Sequence, residues 1–211
     1  MGVRGSVLVG TVTAVIFSHA ATSPAFAACD TNNSVFDDDF EFMDPSWGAP
    51  DDKFYVKDGV LVSKTWRSQV NFSTRNEGAA NVCADVTITD APDVASSPAG
   101  LIFWWQDWDN YYYVYYWADG NVEVRRVLKG KSNTIFTTQP PGIKKGVGQT
   151  NNIELRIKPK DATLLINGTE VNRFKGMQPK GGGVFGVTAT SSQEKPATFT
   201  FDNFVVSATA E

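Results

Sequence analysis

The chain of 211 residues sets 19 Lys and Arg against 23 Asp and Glu, a formal charge of −4. This mild acidity, without any basic run, excludes the electrostatic footprint of a nucleic-acid binder or of a polybasic membrane patch. With one His and two Cys there is little scope for imidazole or thiolate chemistry, whereas aromatic residues form 12% of the chain.

The chain opens MGVRGSVLVGTVTAVIFSHAATSPAFAACD. Arg4 precedes an apolar run from Val7 to Phe17, and small residues then lead to Ala25-Phe26-Ala27. That is the layout of a secretory signal peptide, and the run is too short and too interrupted to span a bilayer. Residues 1–28 are therefore expected to be a leader and 29–211 a single domain, secreted or periplasmic. Arg4 is the only charged residue in the leader, so its removal takes −4 to about −5. His19 is lost with it, which leaves no Ser-His-Asp or Cys-His arrangement.

In an exported protein, Cys29 and Cys83 suggest a disulfide from the mature N-terminus to the run "NVCADVTI". The alternative is a lipid anchor on Cys29, which cleavage after Ala28 would make the first mature residue. Phe26 stands where a lipoprotein usually has Leu.

From there on, short alternating or β-branched runs are separated by Gly, Asp, Asn and Pro. "FYVKDGVLVSKT" places Asp58-Gly59 between two runs, and "VCADVTITD" alternates Val82, Ala84, Val86 and Ile88 with polar residues. "NNIELRIKPKDATLLINGTEV" reads as three strands joined by a Lys-Asp turn and by Asn167-Gly168. "GGGVFGVTATSS" and "ATFTFDNFVVSA" read as closing strands, and residues 89–100 and 137–150 as loops. Asn-Gly and Asp-Gly between such runs are strong hairpin signals. No segment keeps a helical apolar period, so the pattern predicts an all-β, two-sheet antiparallel sandwich.

Residues 99–121, "AGLIFWWQDWDNYYYVYYWADGN", hold four of the six Trp and five of the six Tyr. They read as two strands around "DWDN". Alternation puts Leu101, Phe103, Trp105, Tyr112, Val114 and Tyr116 on one face. The other carries Ile102, Trp104, Gln106, Tyr111, Tyr113, Tyr115 and Trp117. The turn at "ADGN" decides which face is buried. A three-residue turn with Gly120 as a left-handed bulge residue joins Val122 and Val124 to the first face; a two-residue Asp-Gly turn reverses this. The bulged turn is preferred because it groups aliphatic residues with Leu101 and Val114. The outward face would then show Trp104, Gln106, Tyr113, Tyr115, Trp117, Glu123 and Arg125. Flat rings among amides and charges suit a sugar, whose C–H face stacks while its hydroxyls bond the polar neighbours. A protein contact, or cover by another part of the fold, are the competing uses of such a face.

Several stretches together resemble the concanavalin A-like lectin/glucanase superfamily. They are "SVFDDDF…MDPSWG", "VKDGVLV", the aromatic pair, "NNIELRIKPKDATLLINGTEV", "GGGVFGV" and "FTFDNFVV", across about residues 35–207. The resemblance extends to LamG-like bacterial members, including the 3-keto-disaccharide hydrolase family, and to the thrombospondin C-terminal lectin-like domain. It implies a jelly-roll sandwich of two curved sheets whose concave face suits glycans. Laminarinase-like members carry Glu-x-Asp-x-x-Glu on one strand; here Glu41, Glu77, Glu123, Glu154, Glu170, Glu194 and Glu211 are scattered singly. Calcium is common in such folds. Asp37, Asp38, Asp39 and Asp202, or Asp107, Asp109 and Asn110, are the oxygen-rich candidates. The expected function is non-catalytic carbohydrate binding. A glycoside-acting enzyme and a structural envelope protein are the alternatives, discriminated by turnover and by whether the rings stand open to solvent.

Overall fold

Turn chemistry and side-chain alternation lay out the strands. In this computed structural model, which describes residues 1–2, 29 and 31–209, the first strands are β1 (Ser34–Asp38), β2 (Phe54–Lys57), β3 (Val60–Lys64), β4 (Arg67–Asn76) and β5 (Ala80–Asp90). The aromatic segment forms β6 (Ala99–Asp107) and β7 (Asn110–Tyr116), followed by β8 (Val122–Leu128) and β9 (Lys131–Thr138). The chain closes with β10 (Thr150–Lys158), β11 (Asp161–Ile166), β12 (Thr169–Lys175), β13 (Gly183–Ala189) and β14 (Thr198–Ala208). The expected leader lies outside the described residues, except for Met1 and Gly2. Among the described residues no helix is long and apolar enough to cross a membrane.

Asp58 and Gly59 both have positive φ (53° and 74°), as do Asn167 and Gly168 (51° and 77°). These are the mirror-image turns whose twist matches that of flanking strands. They close the β2–β3 and β11–β12 hairpins. Lys129 and Gly130 (52° and 72°) make a third turn of this kind, between β8 and β9, which the sequence reading did not anticipate.

The strands form two antiparallel sheets. One runs β12-β11-β10-β5-β14-β3-β2, with β1 paired to β14; the other runs β4-β13-β6-β7-β8-β9. The predicted all-β, two-sheet antiparallel jelly-roll sandwich is the architecture found. Val82, Ala84, Val86 and Ile88 of β5 are fully buried, as their alternation requires. They share the inter-sheet core with Phe199 and Phe201 of β14, Leu101 and Phe103 of β6, and Val114 of β7. Burying each large side chain contributes roughly 1.5–3 kcal/mol. Tyr116 fastens the layers: its hydroxyl donates to Val86 O (2.9 Å) and accepts from Ile88 N (3.2 Å) on the facing sheet.

Cys29 and Cys83 form a disulfide, with Cα atoms 5.6 Å apart. The sulfur that a lipid would need is therefore engaged, which corrects the lipid-anchor alternative. The acidic run near the N-terminus is also used locally. Asp38 accepts from Trp47 Nε1 and from Phe40 N, both at 2.8 Å, while Asp37 accepts from Ser34 Oγ at 2.7 Å and Asp39 from Glu41 N at 3.3 Å. Alternation sends adjacent carboxylates of β1 to opposite faces, so the run does not converge. Asp202 accepts from Asn203 N at 2.7 Å. Burial, reinforced by the Asp85 and Asp39 carboxylates, holds Asp202 above the usual carboxylate range. Among the described residues no three His, Cys, Asp or Glu side chains gather as a cation site. Asp107 in the second cluster accepts from Asp109 N (2.8 Å) and from Asn110 Nδ2 (2.9 Å), which ties the hairpin tip to itself.

Candidate functional site: an aromatic cleft on the six-stranded sheet

The turn after β7 sets the faces of the aromatic strands. Gly120 has φ 92°, Gly120 N donates to Trp117 O and Trp117 N to Asn121 O, each at 2.9 Å. This is the three-residue, Gly-bulged turn. It pairs Val114 with Val124 and Tyr116 with Val122 on the core side, and Tyr113 with Arg125 and Tyr115 with Glu123 on the outer side. The face turned away from the eight-stranded sheet thus carries Tyr113, Tyr115, Trp117, Glu123 and Arg125, as expected.

Two expected members are placed differently. Trp104 is fully buried in the inter-sheet core, and its ring meets Phe103 and Tyr112. Between the pairs Ile102–Gly186 and Trp105–Val184, β6 uses two residues, Phe103 and Trp104, where β13 uses one. That β-bulge inverts the alternation beyond it. Trp104 takes φ 49°, the left-handed region a bulky residue seldom enters. Trp105, read as a core residue, emerges on the outer face against Phe72 and Trp108. Glycines make this possible, since a Cβ on Gly176 would strike the Trp104 ring and one on Gly183 its backbone. The same irregularity leaves Gln106 exposed in a separate hollow of about 150 Å³, with Trp104, Arg126 and Met177.

A cleft of about 590 Å³ lies on the outer face. Its lining comes from Tyr111, Tyr113 and Tyr115 of β7, Thr188 of β13, Arg67, Ser68 and Gln69 of β4, and the turn residues Trp66 and Trp108. The register Arg67–Ala189–Ala99–Tyr116 puts Trp66 near one end, and the Asp107–Asn110 pair puts Trp108 at the other. Both indoles stay open to solvent, Trp66 at 67% and Trp108 at 50% exposure.

The floor is a chain of hydroxyls. Tyr115 Oη lies 3.0 Å from Thr188 Oγ1, which lies 2.7 Å from Ser68 Oγ. Gly100 pairs with both Tyr115 and Thr188, so no side chain separates them. Burial raises the Tyr115 pKa, although the Thr188 hydrogen bond opposes it. Tyr111 is raised too, by burial and then by Tyr113. These phenols are therefore neutral at physiological pH, each able to donate and accept. Tyr113 Oη lies 3.2 Å from Ser132 Oγ. Glu123 accepts from Thr134 Oγ1 at 2.6 Å, and its carboxylate is 3.8 Å from Arg125 Nε. Arg67, the only charged residue of the cleft lining, pairs with Asp51 at 3.3 Å.

Trp66, Arg67, Ser68, Gln69, Trp108 and Thr188 are not among the residues to which the sequence points, and Tyr111 falls on the outer face there without belonging to the expected site. The available signal is the two-residue spacing of Trp66, Ser68, Val70 and Phe72, which leads from the turn into β4.

Neither a family model nor a curated protein sequence matches the chain. Solved structures do. The carbohydrate binding module CBM66 from Bacillus subtilis is 15% identical over 73% of this chain and 85% of that one, with a TM-score of 0.55. A beta-glucanase from Bacillus licheniformis is 9% identical over 85% of this chain and 100% of that one, at 0.63. The GH43 protein BlXynB of the same species is 16% identical over 86% of this chain, at 0.63, but only 40% of its own length is covered. The chain shares with them the two-sheet antiparallel jelly-roll fold. At such identities the likeness concerns the fold alone.

Proposed function

We propose that this is a secreted, non-catalytic carbohydrate-binding protein whose cleft stacks sugar rings on Trp66 and Trp108 above the tyrosine floor. One observation carries the reading. Two indoles stand in solvent at opposite ends of a cleft of about 590 Å³. Each exposed Trp forgoes the burial that an indole normally finds, and their faces suit the C–H face of a pyranose. Tyr115, Thr188 and Ser68 supply hydroxyls that both donate and accept, as sugar hydroxyls require. The residues expected at the site enter unequally: Tyr113 and Tyr115 contact the ligand, Trp117, Glu123 and Arg125 continue the same face, and Trp104 and Gln106 take no part. The fold, shared with a carbohydrate binding module and a beta-glucanase, supports the reading. So does the disulfide, which suits an oxidising compartment outside the cytoplasm.

The absence of carboxylates from the cleft lining supports binding over hydrolysis, because a retaining glycosidase holds two carboxyl groups about 5 Å apart at the scissile bond. A glycan array, run on wild type and on Trp108→Ala, tests the proposal. Glycan signals that disappear in a Trp108→Ala protein with an unchanged melting temperature are expected. An array blank for the wild type, or one unaffected by loss of both Trp66 and Trp108, would refute it.

A further inference from the structure

The outer face holds a second depression, which extends the aromatic surface past the cleft. Trp117, Asp119, Asn121, Glu123 and Thr137 line a hollow of about 350 Å³ beside β7. Trp117 is fixed there, for its Nε1 donates to Ala95 O at 3.0 Å. The polar rim is tied together as well: Asn121 Nδ2 donates to Asp119 Oδ2 at 2.6 Å, and Gln139 Nε2 to Asn121 Oδ1 at 3.0 Å.

The hollow and the cleft are joined by an unbroken file of rings. From Trp108 through Tyr111, Tyr113 and Tyr115 to Trp117, successive centroids are 5.8, 5.7, 4.7 and 6.0 Å apart. Tyr115 belongs to the cleft and touches Trp117. The six residue steps from Tyr111 to Trp117 advance about 20 Å at strand rise. That is several times the length of one sugar ring. A monosaccharide or a chain end would use one hollow and leave the other idle.

Resting on the carbohydrate reading of the cleft, we infer that the ligand is a neutral, linear polysaccharide laid along β7. It is held through several consecutive sugars, and the Trp117 hollow serves as the far subsite. The chemistry of that hollow sets the neutrality. Asp119 and Glu123 present carboxylate oxygens that accept from sugar hydroxyls and repel the carboxylates of uronic acids. The lining itself carries these two carboxylates and no cation, and Arg125, the neighbour paired with Glu123 at 3.8 Å, stands outside it.

Isothermal titration against laminari-, cello- and xylo-oligosaccharides, from disaccharide to hexasaccharide, tests the inference, with oligogalacturonides as the acidic series. Affinity for at least one neutral series should rise about tenfold or more with length. Trp117→Ala should remove that gain while leaving the shortest bound ligand within about twofold. Thr137→Arg, an exposed change on β9 that fills the hollow, should do the same should Trp117→Ala fold poorly. Trp108→Ala should weaken every length. Length-independent affinity, or a gain that survives both hollow variants, overturns the inference but leaves the cleft as the binding site. Preference for the acidic series overturns the neutrality. Failure of all series to bind removes the carbohydrate reading itself.

Discussion

The ring of Trp104 meets that of Tyr112 nearly at right angles, with centroids 5.0 Å apart, on the core side of the six-stranded sheet. This contact depends on the β6 bulge and on bare backbone at Gly176. Trp104→Ala should cost about 3–5 kcal/mol, as deletions of large buried rings do. Gly176→Ala should cost roughly 1–3 kcal/mol through overpacking. Trp104→Phe should be milder than Trp104→Ala, because the buried indole N–H that it deletes has no hydrogen-bond partner. Urea melts of the three variants check the order. A Trp104→Ala protein as stable as wild type would return Trp104 to the surface.

Alkaline titration should expose the buried phenols. Tyr116 and Tyr115 both have pKa values raised above 10.0, chiefly by burial, against the hydrogen bonds from Ile88 N and with Thr188 that stabilise the anion. In the unfolded chain they ionise near the ordinary value. The folded state therefore keeps its full advantage below about pH 10 and loses it progressively as pH rises through the higher folded values. Melting temperature should fall steeply above that pH. Ultraviolet titration at moderate alkalinity should count fewer phenolates in the native protein than in urea. An identical count in both would contradict the burial.

Reduction should destabilise the protein without rebuilding it. The Cys29–Cys83 bridge spans a sequence separation of 54 residues, and closing a loop of that length stabilises by about 4 kcal/mol in the chain-entropy description. Denaturant melts with and without reductant should differ by about that amount, while the two-sheet core keeps its far-ultraviolet dichroism. Alkylation of both cysteines before any reductant is added would exclude the bridge.

Laminarin and lichenan should remain intact. No Asp or Glu lines the cleft, and Glu123, in the neighbouring hollow, accepts from Thr134 Oγ1 and is paired with Arg125. Incubation followed by a reducing-sugar assay is expected to read as the blank. Release of product that a Glu123→Gln substitution abolished would make the protein an enzyme.

The layered fold could be read in the sequence because its signals are local. Asp58-Gly59 and Asn167-Gly168 dictate their turns whatever surrounds them, and Val82 to Ile88 alternate as a half-buried strand must. At Asp119-Gly120 two turns stay open in the sequence, and the grouping of Val122 and Val124 with Leu101 and Val114 favours the bulged one, and with it the outer positions of Tyr113, Tyr115 and Trp117. Trp104 could not be placed this way. Its inversion comes from a bulge against β13, some eighty residues later, and from a gap left by Gly176. Trp66 and Ser68 were missed for a related reason. Strand β4 is largely polar, and it reaches the cleft only because β13 pairs with it on one side and with β6 on the other.

The three hydroxyls of Tyr115, Thr188 and Ser68 have a consequence for selectivity. Each is a rotor that can donate in either direction along the chain, and either atom of each pair can hold the bridging proton. The file can therefore reverse as a unit, offering the ligand a donor at one moment and an acceptor at another, with no change in heavy-atom positions. Such a floor adapts to the stereochemistry of an individual hydroxyl. On the proposed carbohydrate reading, discrimination then falls to the indoles of Trp66 and Trp108, whose flat faces distinguish flat sugar faces from those interrupted by an axial group, so epimers that keep a flat face should be tolerated alike.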